Sequence, residues 1–258
     1  MITIMSQTQS IYSVSDLRPV AQNVFLISFH APEITKDAKP GQFVHIKCGH
    51  SRQLRRPFGI ADIDGDKLTV IFEVRGEGTK WLASRHVGRR VDLFGPLGHG
   101  FTKTEGNILY VGGGVGATPL LYAARTHNGN ATAVLGFKSR TNVMLREQFE
   151  EACDIVFVTT DDGSYGLRGT VVKPVKDALR SEKFDAVLAC GPKPMLMAVA
   201  EVAEHYGVPC EVSLEERMGC GVGACLVCVC KTTDGSTEQM SRVCKDGPVF
   251  DSREVVWL

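Results

Sequence analysis

Near residue 107 the hydrophobic rhythm of the chain changes, and that change restricts the fold to two joined architectures. From about residue 10 to 100, short apolar or alternating runs are separated by turn residues: NVFLISFHA, GQFVHIKCG, KLTVIFEVRG and RRVDLFGPLG. Many short strands of this kind predict an antiparallel β-barrel. From about 107 onward, NILYV, ATAVLGF, DIVFVTT, FDAVLAC and CEVSL are compact apolar runs. The stretches between the first four, and the one after FDAVLAC, are long enough for helices. Such alternation predicts an α/β unit with a parallel sheet covered on both faces. The expected boundaries are 8–101 for the barrel, 102–211 for the α/β domain and 212–258 for a C-terminal segment. That last segment is too short, and too rich in Gly and Cys, for its own hydrophobic core, so a metal cluster is expected to add the missing stability.

Composition narrows the class of function. The chain has 258 residues, 43% of them hydrophobic, enough for buried cores in one or two domains. Basic and acidic residues number 29 each, so no global field draws the protein to nucleic acid or acidic lipid. Small molecules or proteins are the expected partners. The N-terminal stretch MITIMSQTQSIYSV lacks a basic region followed by a long apolar one, and no 18 apolar residues run together. The expectation is a cytoplasmic protein with no membrane span.

Nine cysteines are unevenly placed. Cys48, Cys153, Cys190 and Cys210 are scattered, whereas Cys220, Cys225, Cys228, Cys230 and Cys244 fall within 25 residues. A reducing compartment argues against a disulfide framework and for metal. Cys220-x4-Cys225-x2-Cys228 with Cys244 beyond follows the spacing of plant-type two-iron, two-sulfur (2Fe-2S) clusters. The small residues between Cys220 and Cys225 let a loop wrap tightly and turn amides toward sulfur. A four-cysteine zinc site is the competing reading, yet zinc sites favour paired C-x2-C knuckles and one such pair is present. In a local strand Cys230 shares a face with Cys228, as a neighbour or a false ligand.

Two glycine-rich segments suit diphosphates. NILYV runs into Gly112-Gly113-Gly114-Val115-Gly116-Ala117-Thr118-Pro119 and then an apolar helix. Glycines give a tight turn and let a diphosphate reach free amides at the helix start, with Thr118 expected as N-cap and Pro119 as first helical residue. A structural turn is the plainer alternative. Cys190 ends the strand FDAVLAC where ligands of open parallel sheets bind, or is simply a buried small residue. The loop TTDDGSYGLRGTV lies at the same edge, as a nucleotide contact or a solvated connection. In the barrel, Leu54-Arg55-Arg56-Pro57-Phe58-Gly59-Ile60 sets arginines beside an aromatic ring, a pairing that suits a diphosphate next to a flat ring system. Gly76-Glu77-Gly78-Thr79-Lys80-Trp81-Leu82 opens a helix with further free amides. Each segment alone also reads as an ordinary surface turn.

The order of these parts, R-P-F-G, G-x-G-T, GPLG, GGGVGATP and CGP, resembles the ferredoxin-NAD(P) reductase superfamily over roughly residues 10 to 210. The resemblance implies FAD on the barrel and NAD on the second domain. Arg56 and the Gly78 and Thr79 amides are then expected at the FAD diphosphate, and Pro57 and Phe58 along the flavin. Gly114, Gly116 and Thr118 are expected at the nicotinamide nucleotide, with Cys190 near its reactive ring. Gly59 departs from the family, where many members carry Ser or Thr, so a backbone amide must serve there. Lys138-Ser139-Arg140 could meet the 2'-phosphate of NADP, or be merely solvated.

The strings EERMGCGVGACLVCVC and SRVCKDGPVF narrow the resemblance to the electron-transfer subunits of NAD-dependent, two-subunit dihydroorotate dehydrogenases. The 15 residues between Cys228 and Cys244 are far fewer than in reductases that append a whole ferredoxin domain. This likeness implies an FMN-containing catalytic partner, a heterotetramer of two plus two chains, and electrons passing from the partner through the cluster and FAD to NAD+ in pyrimidine biosynthesis. It also implies ligands on a short exposed excursion near the partner. Two alternatives remain: a reductase subunit of another NAD(P)H-ferredoxin, sulfur-reductase or hydrogenase complex, and a non-catalytic redox-sensing or zinc-stabilised binding module.

Overall fold

The structure, a computed structural model, describes residues 7–49 and 54–257; of the N-terminal stretch MITIMSQTQSIYSV, residues 1–6 lie outside these. The first half forms β1 (Thr8–Ala21), β2 (Val24–His30), a one-turn α1 (Pro32–Thr35), β3 (Phe43–Ile46), β4 (Arg56–Asp64), β5 (Lys67–Glu73), α2 (Glu77–Ala83) and β6 (Arg90–Leu97). The six strands close into an antiparallel barrel in the order β1-β2-β5-β4-β3-β6. Alternation decides which residues fill it: Ile27 and Phe29 of β2, Val44 and Ile46 of β3, and Leu68 and Val70 of β5 share one buried cluster. The long β1 is not evident from periodicity, because Tyr12 and Val14 are its only buried residues. It is a strand because it pairs with β2 on one side and β6 on the other. Tertiary pairing overrides its weak local pattern.

The second half runs β7 (Ile108–Gly113), α3 (Ala117–Thr126), β8 (Ala131–Phe137), α4 (Arg146–Ala152), β9 (Ile155–Thr160), β10 (Leu167–Arg168), α5 (Val172–Ser181), β11 (Ala186–Cys190), α6 (Lys193–His205) and β12 (Cys210–Ser213). These are followed by β13 (Val229–Thr233), β14 (Glu238–Arg242) and β15 (Val249–Asp251). The sheet order is β10-β9-β8-β7-β11-β12-β15, parallel except for β15, which lies antiparallel to β12. α3 and α4 bury Leu120 and Phe149 on one face, while α5 and α6 bury Val175 and Leu196 on the other. The switch point lies beside β7, where β8 and β11 continue in opposite directions, so the carboxyl ends of β7 and β11 frame a crevice.

The C-terminal segment borrows the core it cannot build. Val243, Phe250 and Val255 pack in one buried cluster with Val187 and Val212 of the sheet and with Phe43 and Leu97 of the barrel. β13 and β14 form a separate hairpin. The segment is therefore held by sheet and barrel, as well as by whatever its cysteines bind.

The start of α3 corrects one local expectation. Its N-cap is Gly116, preceded by a tight turn over Gly114–Gly116, so Thr118 and Pro119 are inside the first helical turn. Gly114 sits at φ 56, where the left-handed backbone favours glycine and lets the chain turn into the helix earlier. Thr118 does not cap the helix; it is buried at 3% exposure in its first turn. α3 also joins the two halves: Tyr122 donates its hydroxyl to the Ala38 carbonyl at 3.2 Å, and Arg125 pairs with Asp62 of β4.

Candidate functional site

Between the barrel and the parallel sheet lies a cavity of about 710 Å³. The RPFG stretch forms one wall through Arg56, Pro57, Phe58 and Gly59, and Gly116, Thr118 and Cys190 come from the opposite domain. Thr79 lines the same space. Gly78 is brought to it by contact: a Cβ on Gly78 would stand 3.1 Å from Nε of Arg56. The guanidinium thus lies against the amide-rich start of α2, a cradle that a side chain at residue 78 would fill. The Thr79 hydroxyl accepts from the amides of Arg75 and Gly76, at 2.9 and 3.1 Å, and so fixes this turn. A guanidinium, free amides and an aromatic side chain at one cavity fit a dinucleotide carrying a flat ring.

A second cavity, of about 800 Å³, follows the carboxyl edge of the sheet. Gly114, Gly116, Lys138, Thr159 and Asp161 line it, so the polar loop after β9 does face the crevice. Thr159 is 1% exposed and its hydroxyl has no partner among the described residues, which fits a polar ligand in this cavity. Nothing in the alternation of β9 marks that hydroxyl; its position at the strand's carboxyl end is the available signal. Lys138 reaches the cavity, whereas Arg140 is turned toward the ring of Tyr165, 5.8 Å away.

Glu73, Arg75, Val115, Gly116 and Glu215 line both cavities, which are therefore continuous. Glu215 is exposed to the cleft but enclosed by protein on its other sides. That enclosure raises its carboxyl above the ordinary range, and Arg75 opposes the rise. Cys190 is 2% exposed, and burial, reinforced by the charge of Glu215, pushes its thiol up to about 12. It is a neutral thiol at physiological pH, without the thiolate character of a nucleophile.

The four cysteines of the C-terminal segment form two contacting pairs, and the loop of the first pair donates an amide to the second. Cys220 Sγ accepts from the amides of Val222 and Ala224 at 3.4 and 3.2 Å, and Cys225 Sγ from Cys220 at 3.4 Å. Cys244 Sγ accepts from Gly223 at 3.1 Å, and Cys228 Sγ from Cys244 at 3.4 Å. Burial acts to raise the Cys220 thiol, but hydrogen bonds from the Val222 and Ala224 amides and from Cys225 outweigh it and bring the group down to about 6. Side-chain hydrogen bonds pair Cys220 with Cys225 and Cys228 with Cys244. Among the described residues no three His, Cys, Asp or Glu side chains gather as round a single ion. Two pairs of thiols inside a cradle of amides fit a 2Fe-2S cluster, whose two irons would each take two thiolates. Cys230 shares the packed core of Cys228 and Cys244 but lies in the hairpin, opposite Ser241.

The excursion is less exposed than expected. Cys225 is exposed and Cys220 partly so, but Cys228 and Cys244 are buried at 1% and 2%. The buried pair packs into the core that contains Phe43, and Phe43 also lines the first cavity. At the other end, Val222, Leu226 and Val227 are exposed, and Leu226 holds a left-handed backbone with φ 57.

Comparison with known proteins decides the family. Residues 215–256 match the model of the iron-sulfur cluster binding domain of dihydroorotate dehydrogenase B. The dihydroorotate dehydrogenase B (NAD(+)) electron transfer subunit of Caldanaerobacter subterraneus subsp. tengcongensis is 42% identical, over 93% of this chain and 95% of that one. The chain belongs to this family of electron-transfer subunits. The Shouchella clausii member is 40% identical over 99% of this chain and 97% of its own. Among solved structures, a chain of the NADH-dependent reduced ferredoxin-NADP oxidoreductase is 34% identical, with a TM-score of 0.87 over 96% of this chain and 90% of that chain. The ferredoxin reductase of carbazole 1,9a-dioxygenase shares the fold, with a TM-score of 0.67 at 21% identity, over 81% of this chain and 68% of its own. Members of the family are flavin and iron-sulfur oxidoreductase subunits that use NAD, and an electron-transfer subunit implies a catalytic partner chain. No helix among the described residues is long and apolar enough to cross a membrane.

Proposed function

We propose that this chain carries electrons from a dihydroorotate-oxidising, FMN-containing partner to NAD+, as the electron-transfer subunit of a cytoplasmic heterotetramer of two plus two chains. The observation that carries the reading is the core shared by the paired cysteines and Phe43, which continues into the cavity between the two domains. Cys220, Cys225, Cys228 and Cys244 hold the 2Fe-2S cluster. Arg56 and the Gly78 and Thr79 amides bind the FAD diphosphate, and Pro57, Phe58 and Gly59 lie along the flavin. Gly114, Gly116 and Thr118 contact the nicotinamide nucleotide, and Cys190 packs near its reactive ring.

A flavin accepts electrons singly or as hydride, which is why it stands between a one-electron cluster and a two-electron nicotinamide. The chain's own residues orient and enclose. Phe43 and Met218 fill the space between the cysteine core and the cavity, excluding water from the route. Glu215, with its carboxyl raised, can hold a proton at the cleft where both cavities meet. The exposed Val222, Leu226 and Val227 form an apolar rim beside Cys225, and we assign this rim to the catalytic partner.

A second reading, as a subunit of an NADH-dependent ferredoxin-NADP oxidoreductase, rests on the 34% identical solved chain. Anaerobic purification from the native source separates the two. The proposal expects a co-purifying FMN chain and dihydroorotate-dependent reduction of NAD+. A ferredoxin- or NADP-linked partner, with no orotate formed, overturns it.

A further inference from the structure

On β3, Val44 and Ile46 point into the barrel, while Phe43 and His45 face outward toward the cysteine segment. His45 is 0% exposed, and neither ring nitrogen has a partner among the described residues. An imidazole N–H taken from water and left without an acceptor costs free energy, and native interiors rarely contain one. Arg55 cannot satisfy it, because a guanidinium only donates; it bonds to the His45 carbonyl and to Asp92.

What covers the ring is the cluster loop. A Cβ on Gly221 would stand 2.8 Å from both Nδ1 and Cε1 of His45, so this edge lies against the residue that follows the ligand Cys220. Gly221 has φ 76, a second reason for glycine at that point. An imidazole carries at least one ring N–H to donate, whether neutral or protonated. Sulfide and thiolate sulfurs are acceptors, and the loop amides already point toward them.

We infer that His45 donates a ring N–H hydrogen bond to a sulfur of the 2Fe-2S cluster, so that the barrel holding the flavin also tunes the cluster. The inference rests on the cluster assignment above. A donor to sulfur stabilises the more negative, reduced cluster, so its removal lowers the reduction potential.

The test uses the full chain purified anaerobically, labelled with 15N-histidine and reduced with dithionite. Pulsed EPR of the wild type is expected to show a 15N hyperfine coupling to the reduced cluster, which His45→Phe abolishes. An EPR-monitored titration is expected to place the His45→Phe cluster at a lower potential, with His45→Asn between the two at equal iron and FAD content. A formed wild-type cluster without histidine 15N coupling overturns the inference, even if the variants do not fold. An unchanged potential in His45→Phe with its iron intact also overturns it. A wild type with no two-iron signal overturns the cluster assignment itself and the inference with it.

Discussion

Pro119 occupies the space that a side chain at residue 59 would need: its Cγ lies 2.6 Å from where a Cβ on Gly59 would stand. Gly59 is in β4 of the barrel and Pro119 in the first turn of α3, so the missing side chain lets the two domains close on each other beside the shared cavity. The glycine at residue 59 thus has a steric cause. Gly59→Ser is expected to destabilise the chain by about 1–3 kcal/mol through overpacking, and to weaken FAD retention. Thermal melts and the flavin absorbance of the purified variant check this, and Gly59→Ser with Pro119→Ala is expected to recover part of the loss. A variant as stable as wild type contradicts the relationship.

Thr159 offers a buried hydroxyl to the cavity along the sheet edge. Thr159→Val keeps the shape and removes the hydrogen bond, at a cost of about 1.4 kcal/mol, or roughly tenfold in affinity. The KM for NADH in a dye-reduction assay is expected to rise by that factor while FAD content stays constant. An unchanged KM places the hydroxyl outside the nucleotide's reach.

Glu215 gives the stability of the chain a pH dependence with a definite sign. Its carboxyl is raised above the ordinary 4.5 by burial, with Arg75 opposing. The folded chain therefore binds more protons than the unfolded chain in the window above 4.5, and stability declines as pH rises through it. In Glu215→Gln this contribution disappears, so the difference in melting temperature between variant and wild type is expected to grow in the variant's favour across that window. A melt series against pH measures it, and a difference that stays flat or reverses rules out the raised carboxyl.

Lys138 and Arg140 diverge, which bears on nucleotide choice. Lys138 alone of the two lines the sheet-edge cavity, so Lys138→Ala is expected to weaken any NADPH use while leaving the KM for NADH within about twofold. Arg140→Ala is expected to change neither. Parallel NADH and NADPH kinetics test the pair.

Most of the fold was legible because its signals are local. The short apolar runs of β2 and β5, the strand-helix alternation from β7 to β12 and the cysteine spacing all reappear in the folded chain. What escaped depends on contacts distant in sequence. β1 is a strand through its pairing with β2 and β6, β15 through its docking on β12, and β10 is two residues long. The start of α3 moved because the left-handed Gly114 turns the chain before Thr118 can cap it. The site residues were nameable by resemblance, and Thr159 only as the first residue of the polar loop after β9, but the unpartnered hydroxyl of Thr159 and ring of His45 were not, since a missing hydrogen-bond partner exists only once the chain is folded.

The central claim is that the cysteine pairs are the one-electron port between the catalytic partner and the flavin. Cys225 is the exposed one of the four proposed ligands, and the segment keeps its hold on the sheet through β15, so Cys225→Ser is expected to remove a ligand without removing the fold. The decisive measurement compares NADH-to-dye activity with dihydroorotate-to-NAD+ activity in the native complex carrying Cys225→Ser. The account predicts that the first persists, with FAD bound, while the second falls below detection together with the cluster's EPR signal. Dihydroorotate-dependent NAD+ reduction at the wild-type rate in a complex without that signal would contradict it.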